Sequence, residues 1–182
     1  MNLRLIAFAL LAAASLTAAA GSVDVNLSND AIEARLNANA GAAEWTFGFL
    51  YNRDQQDWAA NVGLLSAGES SFAGSRIEGG LGGKVYGVSV GSSEVLALAL
   101  GFQARWFPGN GSFALGGYAF YAPSVVTTQD GQRFFDIGVR AEVEVFRNSF
   151  LYVGYRQVQA ELDNNVKQNV DKGGFVGMQI YF

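Results

Sequence analysis

The chain has 182 residues, of which half are apolar and only 15% are charged. It contains no Cys and no His, so the sequence offers no disulfide, no thiolate nucleophile, no imidazole general base and neither of the commonest zinc ligands. The net charge of −4 argues against a nucleic-acid partner, because phosphate binding requires clustered Lys and Arg. The 23 Gly and the high aromatic content predict β structure with tight turns.

The first twenty residues have the composition of a secretory signal peptide. Arg4 precedes an apolar run from Leu5 to Leu16, and small residues follow; these are the basic start, hydrophobic core and A-x-A site of such a peptide. We predict cleavage at the site formed by Ala18 and Ala20, so that residues 1–20 are removed and residues 21–182 form one domain. A retained N-terminal anchor is the alternative, although the run is shorter than the roughly 20 residues of a spanning helix.

The rest of the chain alternates apolar and polar residues, which is the pattern of strands with two unlike faces. In residues 135–145 every odd position is apolar, and every even position is charged or Gly. The segments that we interpret as strands are 23–27, 32–38, 45–51, 58–64, 77–85, 96–106, 112–122, 135–145, 150–160 and 174–182. The parity of 112–122 and 150–160 stays open, because Tyr118, Phe120 and Tyr152 interrupt the alternation.

The polar faces of these segments favour a membrane barrel over a soluble β-sandwich. A solvated face is usually rich in Lys, Glu, Thr and Ser, whereas these faces carry Gly, Ala and equal numbers of acids and bases. We therefore predict an all-β fold, a closed antiparallel transmembrane up-and-down β-barrel of ten strands, with eight strands as the alternative. The charges assigned to the lumen are Glu33, Arg35, Glu78, Lys84, Arg105, Asp136, Arg140, Glu142, Glu144 and Arg156. We expect partners for them on neighbouring strands, because an unpaired buried charge is costly.

Aromatic residues at strand ends predict the interfacial girdles of such a barrel. They are Trp45, Tyr51, Trp58 and Trp106. The last segment, GFVGMQIYF, resembles the C-terminal signature of bacterial outer-membrane proteins through its alternating Val176, Met178, Ile180 and Phe182. That resemblance implies that the barrel-insertion machinery recognises this strand.

An even strand number puts both termini on one side, which we predict to be the periplasm. Short periplasmic turns and longer outer loops are usual in this class. Residues 108–112 and 146–149 then form short periplasmic turns, and residues 122–133 and 161–172 form long outer loops. The first half fits less well, because residues 67–75 would form a long periplasmic turn and Asn29-Asp30 a very short outer one.

The sequence does not predict an enzyme or a cofactor site. Phospholipases and deacylases of the outer membrane use a Ser–His pair, and the chain has no His. GGLGGK (79–84) departs from the Walker pattern, since Val85 follows the Lys where Ser or Thr is required. Its glycines are expected to relieve crowding in a curved wall. A carboxylate pair at Glu142 and Glu144 is a weaker catalytic alternative.

Several segments together resemble the YfaZ family of small Gram-negative outer-membrane proteins. They are GSVDVNLSND, EGGLGGKVYG, LALALGFQARWFP, YAFYAPSVV and LYVGYRQVQAEL. The resemblance implies an outer-membrane barrel without an established catalytic activity, so no catalytic residue is carried over. We expect a structural or surface-interaction role, with outer-membrane lipids and lipopolysaccharide as the surroundings and a narrow lumen filled by paired charges. The alternatives are a small porin-like channel, a lipid-modifying enzyme and a secreted soluble sandwich.

Overall fold

The computed structural model describes residues 20–162 and 166–182, and twelve strands occur there. They are β1 (Gly21–Ser28), β2 (Ala31–Ala40), β3 (Ala43–Asn52), β4 (Trp58–Ser66), β5 (Gly68–Phe72), β6 (Ser75–Val90), β7 (Ser93–Phe107), β8 (Phe113–Ala122), β9 (Thr127–Gln129), β10 (Gly131–Phe146), β11 (Ser149–Leu162) and β12 (Lys167–Tyr181). Short 3₁₀ turns lie at Pro108–Asn110 and Ser124–Val126. Within the described ranges, no helix is long and apolar enough to cross a bilayer.

Ten of these strands form a closed antiparallel wall. Apart from β5 and β9, each strand pairs with the next along the chain, and β12 pairs with β1. At the junction, the Gly21 N–H donates to the Phe182 carbonyl and the Phe182 N–H donates to the Gly21 carbonyl, both at 3.0 Å. Closure leaves no open edge in the wall, as a bilayer requires. The prediction of a ten-stranded barrel is confirmed, and the eight-stranded alternative is wrong.

The two faces of each strand meet different surroundings, as β10 illustrates. Val139 is 60% exposed on the outer surface, whereas Asp136 and Glu142 are buried in the interior. The same alternation runs around the wall, so that large apolar side chains cover the outside. Such an exterior suits hydrocarbon, because lipid tails impose no cost on exposed Val, Leu and Phe.

The two ends of the barrel are built differently. We call the end that carries Gly21 and Phe182 the terminus end, and the other the opposite end. At the opposite end, Asn29 and Asp30 form a tight turn, as predicted. At the terminus end, the expected turn over 67–75 is instead a projecting hairpin, in which β5 pairs with the first five residues of β6.

The connection over 161–172 is also shorter than the sequence predicts. β11 extends to Leu162 and β12 begins at Lys167, so most of the expected loop belongs to the wall. Residues 163–165 lie outside the described residues. In residues 122–133, a 3₁₀ turn and β9 lie between the wall strands β8 and β10. The alternation of β12 is interrupted at Val170, the extra residue of a bulge, because Val158 pairs with Asp171 and Gln159 pairs with Asn169.

The predicted signal peptide lies almost wholly outside the described residues. This applies to residues 1–19, including Ala18. Ala20 is exposed, and β1 begins at Gly21, directly after the predicted cleavage position. Cleavage itself stays a prediction.

Candidate functional site

The interior is the candidate site, and it has an apolar half and a polar half. The apolar side chains form one cluster, here called the apolar plug, in which no member is more than 4% exposed. Its members are Ala31, Leu50, Ala59, Leu65, Tyr86, Val88, Val90, Val95, Ala97, Ala99, Phe120, Ala122, Phe134, Val158, Ala160 and Val170. All except Leu65 come from the strand halves nearest the opposite end. The plug therefore fills that half of the lumen.

The first group of lumenal charges surrounds Arg156 on β11. The Arg156 guanidinium is fully buried and donates to Glu33, Asp171 and Asn26. Glu33 also accepts from Arg35 Nε at 2.6 Å. These partners belong to β1, β2, β11 and β12, so the ion pairs join both sides of the β1–β12 junction. We call this set the Arg156 cluster.

The second group centres on Arg140 of β10 and Arg105 of β7, and we call it the Arg140–Arg105 cluster. Both guanidinium groups bind the Glu142 carboxylate, with N–O distances of 2.8 Å for Arg140 and 2.6 Å for Arg105. Arg140 also donates to Asp24 at 2.8 Å, and Arg105 donates to Glu78 at 3.1 Å. The Arg140–Asp24 and Arg105–Glu142 contacts join strands that are not neighbours in the wall, and each of the five side chains has an ion-pair partner. Charge-assisted pairs of this kind hold such strands at a fixed distance.

Lys84 and Asp136 are buried in the lumen but are paired differently from the other charges. Asp136 Oδ2 accepts from the Tyr86 hydroxyl at 2.9 Å. Among the described residues, the Lys84 ammonium makes no hydrogen bond or ion pair. Instead, it lies 4.1 Å from the ring centroid of Phe120 and 5.9 Å from that of Tyr118. A ring face attracts a cation, but it does not supply a hydrogen-bond acceptor of carboxylate strength.

A cavity of about 440 Å³ occupies the polar half of the lumen. Its mouth is at the terminus end, because its lining includes Asn39, Glu44 and Ser66 from the adjoining ends of β2, β3 and β4. Lys84 and Tyr118 also line it, and they contact Phe120 of the apolar plug. The cavity is therefore a pocket that enters from one end and stops at the plug.

The structure brings nine of the ten predicted lumenal charges into the interior. Glu144 is the exception: it lies at the end of β10, where its Oε1 accepts from the Asn148 N–H at 3.1 Å. It faces the same side of β10 as Glu142, because it pairs in register with the buried Phe150, but it lies at the rim of the barrel, next to the bulge between Glu144 and Phe146. The Glu142 carboxylate is bound by Arg105 and Arg140, whereas Glu144 accepts from a backbone N–H, so the two acids have separate partners.

Sequence reasoning missed several lumenal partners. Asp24 alternates with Val23 and Val25, so parity could have assigned it to the interior. Tyr152 donates to Asp24, although the sequence left the parity of its strand open. Asp171 fell in a predicted loop and could not have been found by alternation.

The predicted interfacial aromatics lie on the outer surface near the strand ends. Trp45 and Trp106 are close to the terminus end, and Tyr51 and Trp58 are close to the opposite end. Val176, Met178, Ile180 and Phe182 also face outward on one side of the closing strand. Their recognition by the insertion machinery stays a prediction.

An apolar groove lies on the outer wall across β1, β12, β11 and β10. Val25, Leu151, Val153 and Val176 line it. Within the described residues, no group of three or more acidic side chains could hold a metal ion. The lumenal cavity thus remains the site with polar groups directed at an enclosed space.

Comparison with known proteins shows the family. A solved structure described as a NanC porin in a rhombohedral crystal form has 10% sequence identity and a TM-score of 0.40, over 90% of this chain and 99% of that one. A search of curated protein sequences gave no match. The family model described as YfaZ precursor matches residues 1–182. Because this match covers the whole chain, the protein belongs to the YfaZ family.

Proposed function

We propose that this protein is an outer-membrane barrel with a closed lumen, whose role is structural in the envelope or lies in surface contacts of its loops. The observation that carries the proposal is the apolar plug. Phe134 and Val170 are fully buried near the strand ends that adjoin the loops of the opposite end. A solute would have to displace these packed side chains to pass. An interior filled by side chains is also expected of narrow barrels.

The charge clusters support the same role. Arg156, Arg140 and Arg105 each bind two acids, and at least one of the two comes from another strand. Such cross-lumen pairs stiffen the barrel and occupy the space that a channel would need. A non-catalytic role agrees with the absence of His and Cys from the sequence.

A small channel is the second candidate, and the cavity at the terminus end is the observation that favours it. Among the described residues, the plug separates this cavity from the opposite end, so rearrangement of the plug would open a path. We consider the closed form the functional one, because no plug residue is more than 4% exposed and displacing such buried side chains is costly.

Planar-bilayer recordings on the refolded barrel test closure. The closed barrel gives no discrete conductance steps in either polarity. Regular single-channel steps from the wild-type protein would overturn the proposal in favour of the channel.

The envelope role is tested by deleting the gene in its host and measuring leakage of a periplasmic enzyme. Unchanged leakage and unchanged detergent resistance would contradict an integrity role and leave the surface-contact role.

A further inference from the structure

We propose that the cavity at the terminus end binds a small monovalent organic anion, with Lys84 as the residue that holds the negative group. Lys84 is only 4% exposed, yet it lines the cavity. Its ammonium makes no hydrogen bond or ion pair with any described residue. A buried charge without a charged partner or acceptor is costly, so this site is completed by a ligand of opposite charge.

The other cations near the cavity are already bound to acids. Arg35 pairs with Glu33, Arg105 pairs with Glu78 and Glu142, and Arg140 pairs with Asp24 and Glu142. Lys84 is the lining cation left without a carboxylate within ion-pair distance in the described part of the chain. The anion therefore meets one available positive charge at the inner end of the pocket.

Glu33 and Glu44 attract Lys84 electrostatically, but Glu33 is bound by Arg35 and Arg156, and Glu44 accepts from Gln103. Asp136 is the third acid that could compete for Lys84. Its Oδ2 is held by Tyr86, and its Oδ1 is buried without a protein hydrogen-bond partner. Asp136 is not part of the cavity lining, whereas Lys84 is. A ligand in the cavity can therefore reach Lys84 without contacting Asp136.

The rest of the lining sets the class of anion. Asn37, Thr46, Gln103 and Tyr118 line the cavity with hydroxyl and amide groups. Asn37 donates to Ser22, Gln103 donates to Glu44 and Tyr118 accepts from Arg35, so their amide oxygens and the Tyr118 O–H remain to bind a ligand with several hydroxyls. Glu44 and Glu69 lie among the lining residues towards the mouth and repel a second negative charge. The volume of about 440 Å³ accommodates a molecule the size of a six-carbon polyol acid. A monovalent carboxylate with hydroxyl groups fits this lining better than a dianion.

Titration calorimetry of the folded full-length barrel in detergent with gluconate tests the site, and glucose serves as an uncharged control of similar size. Wild-type protein binds gluconate saturably at millimolar concentration and binds glucose at least about tenfold more weakly, because a charged hydrogen bond is lost. K84R retains gluconate binding. K84M lowers it at least about tenfold. K172M, which removes an exposed Lys outside the cavity lining, leaves binding unchanged.

Several outcomes would overturn the proposal. They are no saturable gluconate binding by the wild type, equal affinity for glucose, or K84M binding as tightly as wild type. Glucose 6-phosphate tests whether the site prefers a phosphate dianion to a carboxylate. Tighter binding of glucose 6-phosphate than of gluconate would contradict the role of the acidic lining. If K84M fails to give the folded gel mobility of the wild type, K84Q replaces it under the same criteria.

Discussion

At the scale of single residues, Arg156 carries a fully enclosed charge. Its side chain is 0% exposed and bridges Glu33, Asp171 and Asn26. R156M would leave the buried Asp171 without its ion-pair partner and would remove one of the two guanidinium groups that bind Glu33. We expect it to lower the free energy of unfolding by about 3–5 kcal/mol. Equilibrium urea unfolding of the barrel in lipid vesicles measures the loss.

R133M is the matched control, because it removes the same guanidinium from an exposed pair. The Arg133 side chain is 58% exposed, and its Nη1 lies 3.9 Å from Glu161. Such pairs contribute no more than about 1 kcal/mol. Equal losses of stability in the two variants would show that the lumenal ion pairs stabilise the barrel no more than the exposed pair does.

Gly101 illustrates how closely two strands of the wall approach. A Cβ added there would lie 2.0 Å from the Ala119 carbonyl oxygen and 2.7 Å from Phe120 Cα. Both are backbone atoms, which cannot move aside as a flexible side chain can. G101A should therefore lower the free energy of unfolding by about 1–3 kcal/mol through overpacking.

Gly173 provides the comparison for this substitution in the same vesicle unfolding assay. A Cβ at Gly173 would meet no heavy atom within 4 Å. G173A should change stability far less than G101A. A G101A barrel as stable as wild type would show that the wall relaxes around the added methyl group.

At the scale of strands, alternation predicts a face only when one face is clearly polar. Residues 135–145 meet this condition, and their parity was predicted correctly. Residues 112–122 and 150–160 do not, because Phe120 and Tyr152 lie inside the barrel. The lumen contains Phe120, whose ring contacts Lys84, and Tyr152, whose hydroxyl donates to Asp24. Apolar character alone therefore does not distinguish a residue that faces the lumen from one that faces lipid.

β12 shows a second limit of sequence reasoning. Val158 pairs with Asp171 and Gln159 pairs with Asn169, so Val170 is the extra residue of a bulge. Val170 and Asp171 are consecutive and both buried. A bulge shifts the two-residue period by one, and a sequence pattern does not reveal it. The predicted strand therefore began at 174 instead of Lys167, and Asp171 was lost from the predicted lumen.

A charged side chain on the outer face of a wall strand should lower the free energy of unfolding, and the loss should be greatest near the middle of the bilayer. Leu100 is near the middle of β7 and is 67% exposed on the outside. We expect L100R to lower the free energy of unfolding in lipid vesicles by about 2–4 kcal/mol. F72R is the control, because Phe72 lies on the projecting β5–β6 hairpin. Equal effects would show that Leu100 does not contact hydrocarbon.

At the scale of the whole molecule, the two halves of the lumen have different chemistry. Apolar side chains fill the half at the opposite end, and ion pairs and a cavity occupy the half at the terminus end. The sequence predicted the lumenal charges, but it did not predict the plug. Val88 and Val90 at the end of β6 follow the predicted strand 77–85, and Val95 of β7 precedes the predicted strand 96–106. The alternating segments therefore did not include them. The cavity consequently has access from only one side, and the orientation of the barrel decides which compartment supplies its ligand.

Single cysteines can determine that orientation, because the native chain contains no Cys. Val125 at the opposite end is 86% exposed, and Phe72 at the terminus end is 75% exposed. With the termini in the periplasm, a bulky membrane-impermeant maleimide labels V125C in intact cells. It labels F72C only after the outer membrane is permeabilised. Labelling of F72C but not V125C in intact cells would reverse the orientation and open the Lys84 cavity to the exterior.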